Sequence, residues 1–273
     1  MNILDKIVEQ KKEEVAYRKL HTNAKSLEAV PYFRRDTLSL KQFILDETRT
    51  GIIAEFKRRS PSKGVINEKV DVAQLTAAYA KYGASGISVL TDGPNFGGIL
   101  DDLVAARENQ VPLLRKDFMI DEYQIIEAKA YGADVILLIA ACLSVSQVKI
   151  LASVAKRLGL EVLLEIHNEE ELEHICDDVD LVGVNNRNLK TFDVDIQTSL
   201  DLIDKIPLTV PAVAESGISD VQTIVSLKQA GFKGFLIGEN FMKHAEPAIA
   251  FAEFVKQLKA YSSLQREEQK GGA

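Results

Sequence analysis

Gly51-Ile52-Ile53-Ala54-Glu55-Phe56-Lys57 sets a pattern that the chain then repeats. The run is apolar, too short for a helix, and ends in charge. Seven further runs share its character: Gly86–Leu90, Pro112–Lys116, Asp134–Ile139, Glu161–Ile166, Asp180–Asn185, Pro211–Glu215 and Gly234–Gly238. With Gly51–Phe56 they make eight candidate strands, nearly continuous in Ile, Val and Leu, as strands buried on both faces are. Between them lie stretches of helical periodicity, among them Val72–Tyr82, Asp121–Tyr131, Ser146–Leu158 and Val221–Ala230. Gly83, Gly132, Gly159 and Gly231 stand where helix C-termini take a glycine.

Alternating strand and helix is the βα signature, and eight units in succession favour closure over an open doubly wound sheet. The fold class expected is α/β, a (β/α)8 TIM barrel over residues 51–262. Residues 1–50 carry Ile3, Leu4, Ile7 and Val8 at helical spacing and a second helical segment near Leu40–Leu45. They read as an N-terminal helical extension capping the barrel, either covering apolar surface alone or also edging the mouth. Residues 263–273 are expected to be a disordered tail. No linker divides the 273 residues, so one domain is expected, and the chain ends too soon after the eighth unit for a fused second enzyme domain.

Composition excludes several classes of partner. Forty acidic against 33 basic residues give a net charge of −7 with no basic stripe, which argues against nucleic acid and anionic membrane. Cys142 and Cys176 are too few for a disulfide framework and lack metal spacing. Charges at Asp5, Lys6 and Glu9 interrupt any signal peptide, so a cytoplasmic protein is expected.

A strand buried on both faces has little reason to end in a charge, because an unpaired buried charge costs several kcal/mol. Here Glu55 and Lys57 close the first strand, Lys116 the third, Glu165 the fifth, Asn185 the sixth and Glu215 the seventh. In this fold those ends converge on one cavity. Any one of them could be an ordinary rim ion pair; so many at equivalent positions point to an acid-base site. Side-chain alternation puts Glu55 with Lys57 and Lys116 with Leu114, leaving Arg115 to face the helices. The loops after strands seven and eight, Glu215-Ser216-Gly217-Ile218-Ser219-Asp220 and Gly238-Glu239-Asn240, suit a phosphate cradle, or merely tight turns. His21, His167, His174 and His244 show no metal spacing and read as surface or local contacts. Glu169–Glu171 reads as a solvated helix start.

The segments Ile53-Ala54-Glu55-Phe56-Lys57-Arg58-Arg59-Ser60-Pro61-Ser62, Leu114-Arg115-Lys116-Asp117-Phe118, Leu164-Glu165-Ile166, Gly183-Val184-Asn185-Asn186-Arg187-Asn188-Leu189, Val213-Ala214-Glu215-Ser216-Gly217-Ile218 and Phe235-Leu236-Ile237-Gly238 resemble, in order and register, the indole-3-glycerol-phosphate synthases. That resemblance implies a cytoplasmic carboxy-lyase of tryptophan biosynthesis, a monomer or weak homodimer that needs neither cofactor nor metal. Its substrate would be 1-(2-carboxyphenylamino)-1-deoxyribulose 5-phosphate, a small phosphorylated molecule. By position, Lys116 would be the general acid and Glu165 would serve the later proton transfers. Glu55 would orient the lysine, and Lys57 would bind an anionic group. Ser60, Asn185, Arg187 and Glu215 would position substrate. Phe96, Phe118, Leu137 and Leu189 would form the slot for the anthranilate ring, and Ser216, Gly217, Gly238 and Glu239 the phosphate cradle. Glu239 departs from the members that carry a small residue such as Ser there. Burial and neighbours are expected to draw the Lys and Glu pKa values toward neutrality, with Lys116 more desolvated than Lys57. Two competitors are a phosphoribosylanthranilate isomerase, which needs a Cys/Asp pair, and a catalytically inert barrel acting as a scaffold.

Overall fold

The computed structural model describes the backbone of residues 3–271 and the side chains of 3–261 and 263. Eight parallel strands close into a barrel in chain order. They are β1 (Ile52–Phe56), β2 (Gly86–Leu90), β3 (Leu113–Lys116), β4 (Val135–Ile139), β5 (Glu161–Ile166), β6 (Leu181–Asn185), β7 (Ala212–Glu215) and β8 (Gly234–Ile237). Several begin one residue later than expected, because Asp134 and Asp180 turn their carboxylates onto neighbouring strands. Asp134 accepts from the Leu113 amide at 2.8 Å and Asp180 from that of Val162 at 2.9 Å.

Alternation along the strands sorts the apolar residues into two cores. Ile53, Leu114, Val135, Leu137, Ile139, Leu163, Leu181, Val213 and Leu236 fill the barrel, while Ile52, Ala54, Phe56, Ile87, Val89 and Leu113 pack outward against the helices. The helix layer includes α4 (Val72–Tyr82), α7 (Glu122–Ala130), α8 (Val145–Arg157) and α10 (Val221–Ala230), with α5 (Gly93–Phe96), α6 (Asp101–Ala106), α9 (Gln197–Leu202) and α11 (Glu239–Met242) as shorter pieces. Caps set their starts: Asp121 and Ser144 each close a capping box with a Gln three residues on. The short helices escape the sequence pattern because one or two turns display no period.

Arg115 faces the helix layer, as its parity requires. Fully buried, it pairs with Asp117 at 3.0 Å and Glu127 at 2.9 Å.

The N-terminal extension serves both ends of the barrel. Helix α1 (Ile3–His21) lies at the mouth, where Ile3, Leu4 and Ile7 line the cavity. It is pinned by Lys11, whose ammonium meets Asp92 at 3.0 Å and Asp117 at 2.9 Å beyond β2 and β3. After α2 (Ala24–Glu28) the chain reaches α3 (Leu40–Leu45), which plugs the opposite end with Leu40 and Ile44. Gly86 admits the plug: a Cβ there would stand 2.5 Å from Leu40 Cδ1. The last helix, α12 (Pro247–Gly271), carries the backbone to Gly271, and residues 272–273 lie outside the described range. One further expectation is corrected. Glu169–Glu171 opens a 3-10 turn over Glu170–His174, and Glu171 is turned inward rather than solvated.

Leu40→Ala should cost about 2–5 kcal/mol, the range for truncating a buried Leu with partial collapse of the cavity left behind. Urea unfolding monitored by circular dichroism checks this, and a loss under 1 kcal/mol would show that the plug contributes little.

Candidate active site

The C-terminal strand ends surround a cavity of about 550 Å3. Every one of the sixteen site residues expected from sequence lines it: Glu55, Lys57, Ser60, Phe96, Lys116, Phe118, Leu137, Glu165, Asn185, Arg187, Leu189, Glu215, Ser216, Gly217, Gly238 and Glu239. At its centre Lys116 Nζ donates to Glu165 Oε2 at 2.7 Å and Glu215 Oε2 at 3.1 Å. Lys57 donates to Glu55 Oε1 at 2.7 Å. Asn185 bridges outward: its Nδ2 donates to Glu165 Oε1 at 3.0 Å, while its Oδ1 accepts from Ser216 Oγ at 2.8 Å and the Arg187 amide at 3.1 Å.

Charge within this cluster is divided unevenly. Burial disfavours the Lys116 ammonium, but the carboxylates of Glu165, Glu215 and Glu55 outweigh it and hold its pKa above the ordinary lysine value. The expected shift toward neutrality is therefore reversed. The two lysine side chains are similarly exposed, at 13% and 15%, and burial is the largest influence on the Lys116 ammonium. The loop after β1 turns back as a hairpin of Arg59–Ser60 with Gly64–Val65, and Arg58 pairs with Asp102. The two carboxyls on Lys116 part company. Burial opposes ionisation of both, yet Lys116 and His167 bring Glu165 well below the usual range, while Glu215 is pushed up by burial and by the Glu165 charge. Carboxyls driven apart in this way can act one as base and the other as acid.

Around the cluster the remaining residues sort by chemistry. Phe96 and Phe118, with ring centroids 6.2 Å apart, combine with Leu137 and Leu189 as an apolar wall. On the other side Ser216 (φ +63°) and Gly217 (φ +77°) are both left-handed, which curls the loop after β7. Buried Asn186 holds that loop, donating to the carbonyls of Glu215 and Ser216 at 3.0 and 3.2 Å. Glu239 turns aside, its carboxylate 3.3 Å from Arg187 and 3.6 Å from Lys63, so the cradle backbone is left clear of it.

Sequence reading missed several contributors. Ile3, Leu4 and Ile7 close the mouth, resolving the open question about the extension. Gly183 on β6 makes room for the site, because a Cβ there would fall on Glu215 Oε1; Gly238, already expected from sequence, likewise leaves room for Glu55. An inward-parity glycine opposite a strand-end carboxylate is the available signal. His167, read as a surface or local contact, stands 3.2 Å from Glu165. Among the described residues no three His, Cys, Asp or Glu side chains converge as metal ligands.

A closed (β/α)8 barrel with a buried Lys/Glu cluster facing an apolar wall and a polar loop defines the class: a barrel enzyme whose cavity has the groups for general acid-base chemistry on a small molecule. A family model described as indole-3-glycerol phosphate synthase matches residues 4–254. Among curated relatives, the indole-3-glycerol phosphate synthase of Bacteroides thetaiotaomicron is 45% identical over 94% of this chain and 99% of its own length. That of Salinibacter ruber is 43% identical over 97% and 99%. The chain belongs to the indole-3-glycerol phosphate synthase family, carboxy-lyases of tryptophan biosynthesis. Among solved structures, the tryptophan synthase of Pyrococcus furiosus aligns with TM-score 0.59 at 17% identity over 78% of this chain and 99% of that one, a likeness of fold.

Gly183→Ala should displace Glu215 from Lys116 and lower kcat about 10²-fold, the scale of an ångström-level misplacement, without unfolding the barrel. Wild-type turnover by a folded Gly183→Ala protein would show that the Glu215 position is not critical.

Proposed function

We propose that this cavity closes the indole ring of 1-(2-carboxyphenylamino)-1-deoxyribulose 5-phosphate, releasing carbon dioxide and water, with Lys116 as general acid. The observation that carries the reading is the Lys116 ammonium, kept protonated between Glu165 and Glu215 at the centre of a cavity with one apolar wall. Ring closure needs a proton at the ketone oxygen as the aromatic carbon attacks, and a charged lysine supplies it. The carboxylate leaves as carbon dioxide. Its bonding electrons restore the benzene ring; loss of the hydroxyl as water then requires an acid, and loss of the proton that completes the pyrrole ring requires a base. Glu165, ionised, is the base; Glu215, with its raised pKa, can hold the proton that passes between them while it positions substrate.

Binding follows from the same geometry. Phe96, Phe118, Leu137 and Leu189 would take the anthranilate ring, and Ser60, Arg187 and Lys57 lie where anionic and hydroxyl groups need donors. Ser216, Gly217, Gly238 and the Glu239 amide would hold the phosphate through backbone N–H groups. Glu55 orients Lys57 directly at 2.7 Å, so its influence on Lys116 is that of a nearby charge. The isomerase alternative gains no support, because neither cysteine lines the cavity and the buried Cys142 thiol is pushed up to about 12. Two half-buried free cysteines support a reducing, cytoplasmic setting, and no helix among the described residues is long and apolar enough to cross a membrane. A monomer or weak homodimer remains part of the proposal.

Turnover of the carboxyphenylamino substrate, followed by indole fluorescence, tests the activity; no product would refute it. In single-turnover experiments Lys116→Met should cut the rate about 10²–10⁴-fold with little change in binding, the scale of losing a general acid. Lys57→Met should mainly weaken binding. The opposite pattern would exchange the two roles. Inorganic phosphate should compete weakly, and an analogue without phosphate that bound as tightly as substrate would remove the cradle assignment.

A further inference from the structure

His167 continues the inward face of β5 one step past the barrel, in phase with Leu163 and Glu165. Its side chain is 10% exposed and lies between two carboxylates. Nε2 is 3.2 Å from Glu165 Oε1, the oxygen that also accepts from Asn185, and Nδ1 is 3.2 Å from Glu171 Oε2. Glu171 is itself fixed, because its Oε2 accepts the His167 amide at 2.7 Å, its Oε1 accepts from Asn168 Nδ2 at 3.1 Å, and its own amide donates to Asn168 Oδ1 at 3.1 Å. A neutral imidazole carries one N–H and one lone pair, so in this position it would turn a lone pair toward a carboxylate oxygen. Nδ1 is hydrogen-bonded to Glu171, whereas Nε2 is buried beside Glu165 Oε1 without hydrogen-bond alignment; with a carboxylate at each nitrogen, the imidazolium is the form the site favours.

We propose that His167 is a positioning residue for ring closure: locked by Glu171 as an imidazolium, it keeps Glu165 ionised and aimed at Lys116. This rests on the reading of Glu165 as the proton-transfer carboxylate. Glu165 is then hydrogen-bonded by Lys116 on one oxygen and by Asn185 on the other, with the His167 ring charge 3.2 Å from that second oxygen. Burial disfavours the charged ring, but Glu165 and Glu171 outweigh it and lift His167 to about 9. The other groups at this corner come from separate elements. Cys142, after β4, is a neutral thiol with its pKa pushed up by burial and by Glu165, Glu171 and Asp5; Asp5 itself sits on α1. Lys116 on β3 and Glu215 on β7 complete the set, so near pH 9 the change of charge next to Glu165 is that of the ring.

The sign of the effect follows from charge. Removing a cation beside Glu165 makes its carboxylate less stable, so the proton is held to higher pH and the acid limb of the rate profile moves up. His167→Asn, which leaves a neutral amide, should lower kcat about 10–100-fold at pH 7 with KM within about twofold, and raise that acid limb by about one unit. In the wild-type enzyme the His167 ring, followed by NMR against the other three histidines, should titrate near pH 9, and Glu171→Gln should lower that midpoint by about a unit. Glu165→Gln separates the two levels of the argument. If it retains wild-type single-turnover rates, the reading of Glu165 fails. If it loses them while His167→Asn keeps the wild-type profile, or if the wild-type ring titrates near the ordinary histidine value, the present proposal alone is overturned. The ring titration is made on the unaltered protein, so it decides the matter even where a variant does not fold.

Discussion

One ammonium shared by two buried carboxylates organises the mouth of this barrel. Lys116 reaches Glu165 and Glu215 from three alternate strands, and without it two carboxyls would be left together in a cavity with little water. Sharing one cation also makes them different, because the ionisation of Glu165 works against that of Glu215. A set of like carboxyls thus becomes two unlike ones around a single ammonium. That division requires the cluster to stay dry and the strand ends to stay in register.

Register comes from packing at both ends of the barrel. Interior apolar side chains from seven of the eight strands meet below the cluster, and α3 closes the far end with Leu40 and Ile44. Ser39 and the Lys41 amide bind the Glu161 carboxylate at the start of β5, the strand that carries Glu165 at its other end. At the mouth, buried Lys11 holds α1 through Asp92 and Asp117, next in sequence to Lys116. Breaking a buried pair of this kind strands a charge and typically costs about 3–5 kcal/mol. The extension is therefore a clamp spanning both ends, and its first apolar residues serve as a wall of the cavity.

Much of the site was legible because barrel strands obey a period of two. A charge closing an apolar run has one face to occupy, and the positions of Glu55, Lys57, Lys116, Glu165, Asn185 and Glu215 all follow from that parity, as does the outward turn of Arg115. The apolar ring slot came instead through resemblance, since no local pattern distinguishes Leu189, whereas the loops after β7 and β8 were legible from the fold and their glycines. Parity extended by one step would also have found His167, and an inward glycine opposite a carboxylate would have found Gly183.

By itself, the sequence determined the eight strands, their closure, the inward side chains and the family, because each depends on local periodicity or on short motifs in order. The tertiary structure alone decided the protonation of the site. Whether Lys116 lies near neutrality or above its ordinary value depends on how many carboxylates surround it and how much water they exclude, and those neighbours come from strands tens of residues apart. The same is true of Glu239, drawn aside by Arg187 and Lys63. Electrostatic free energy depends on distances and burial in three dimensions, neither of which a linear pattern records.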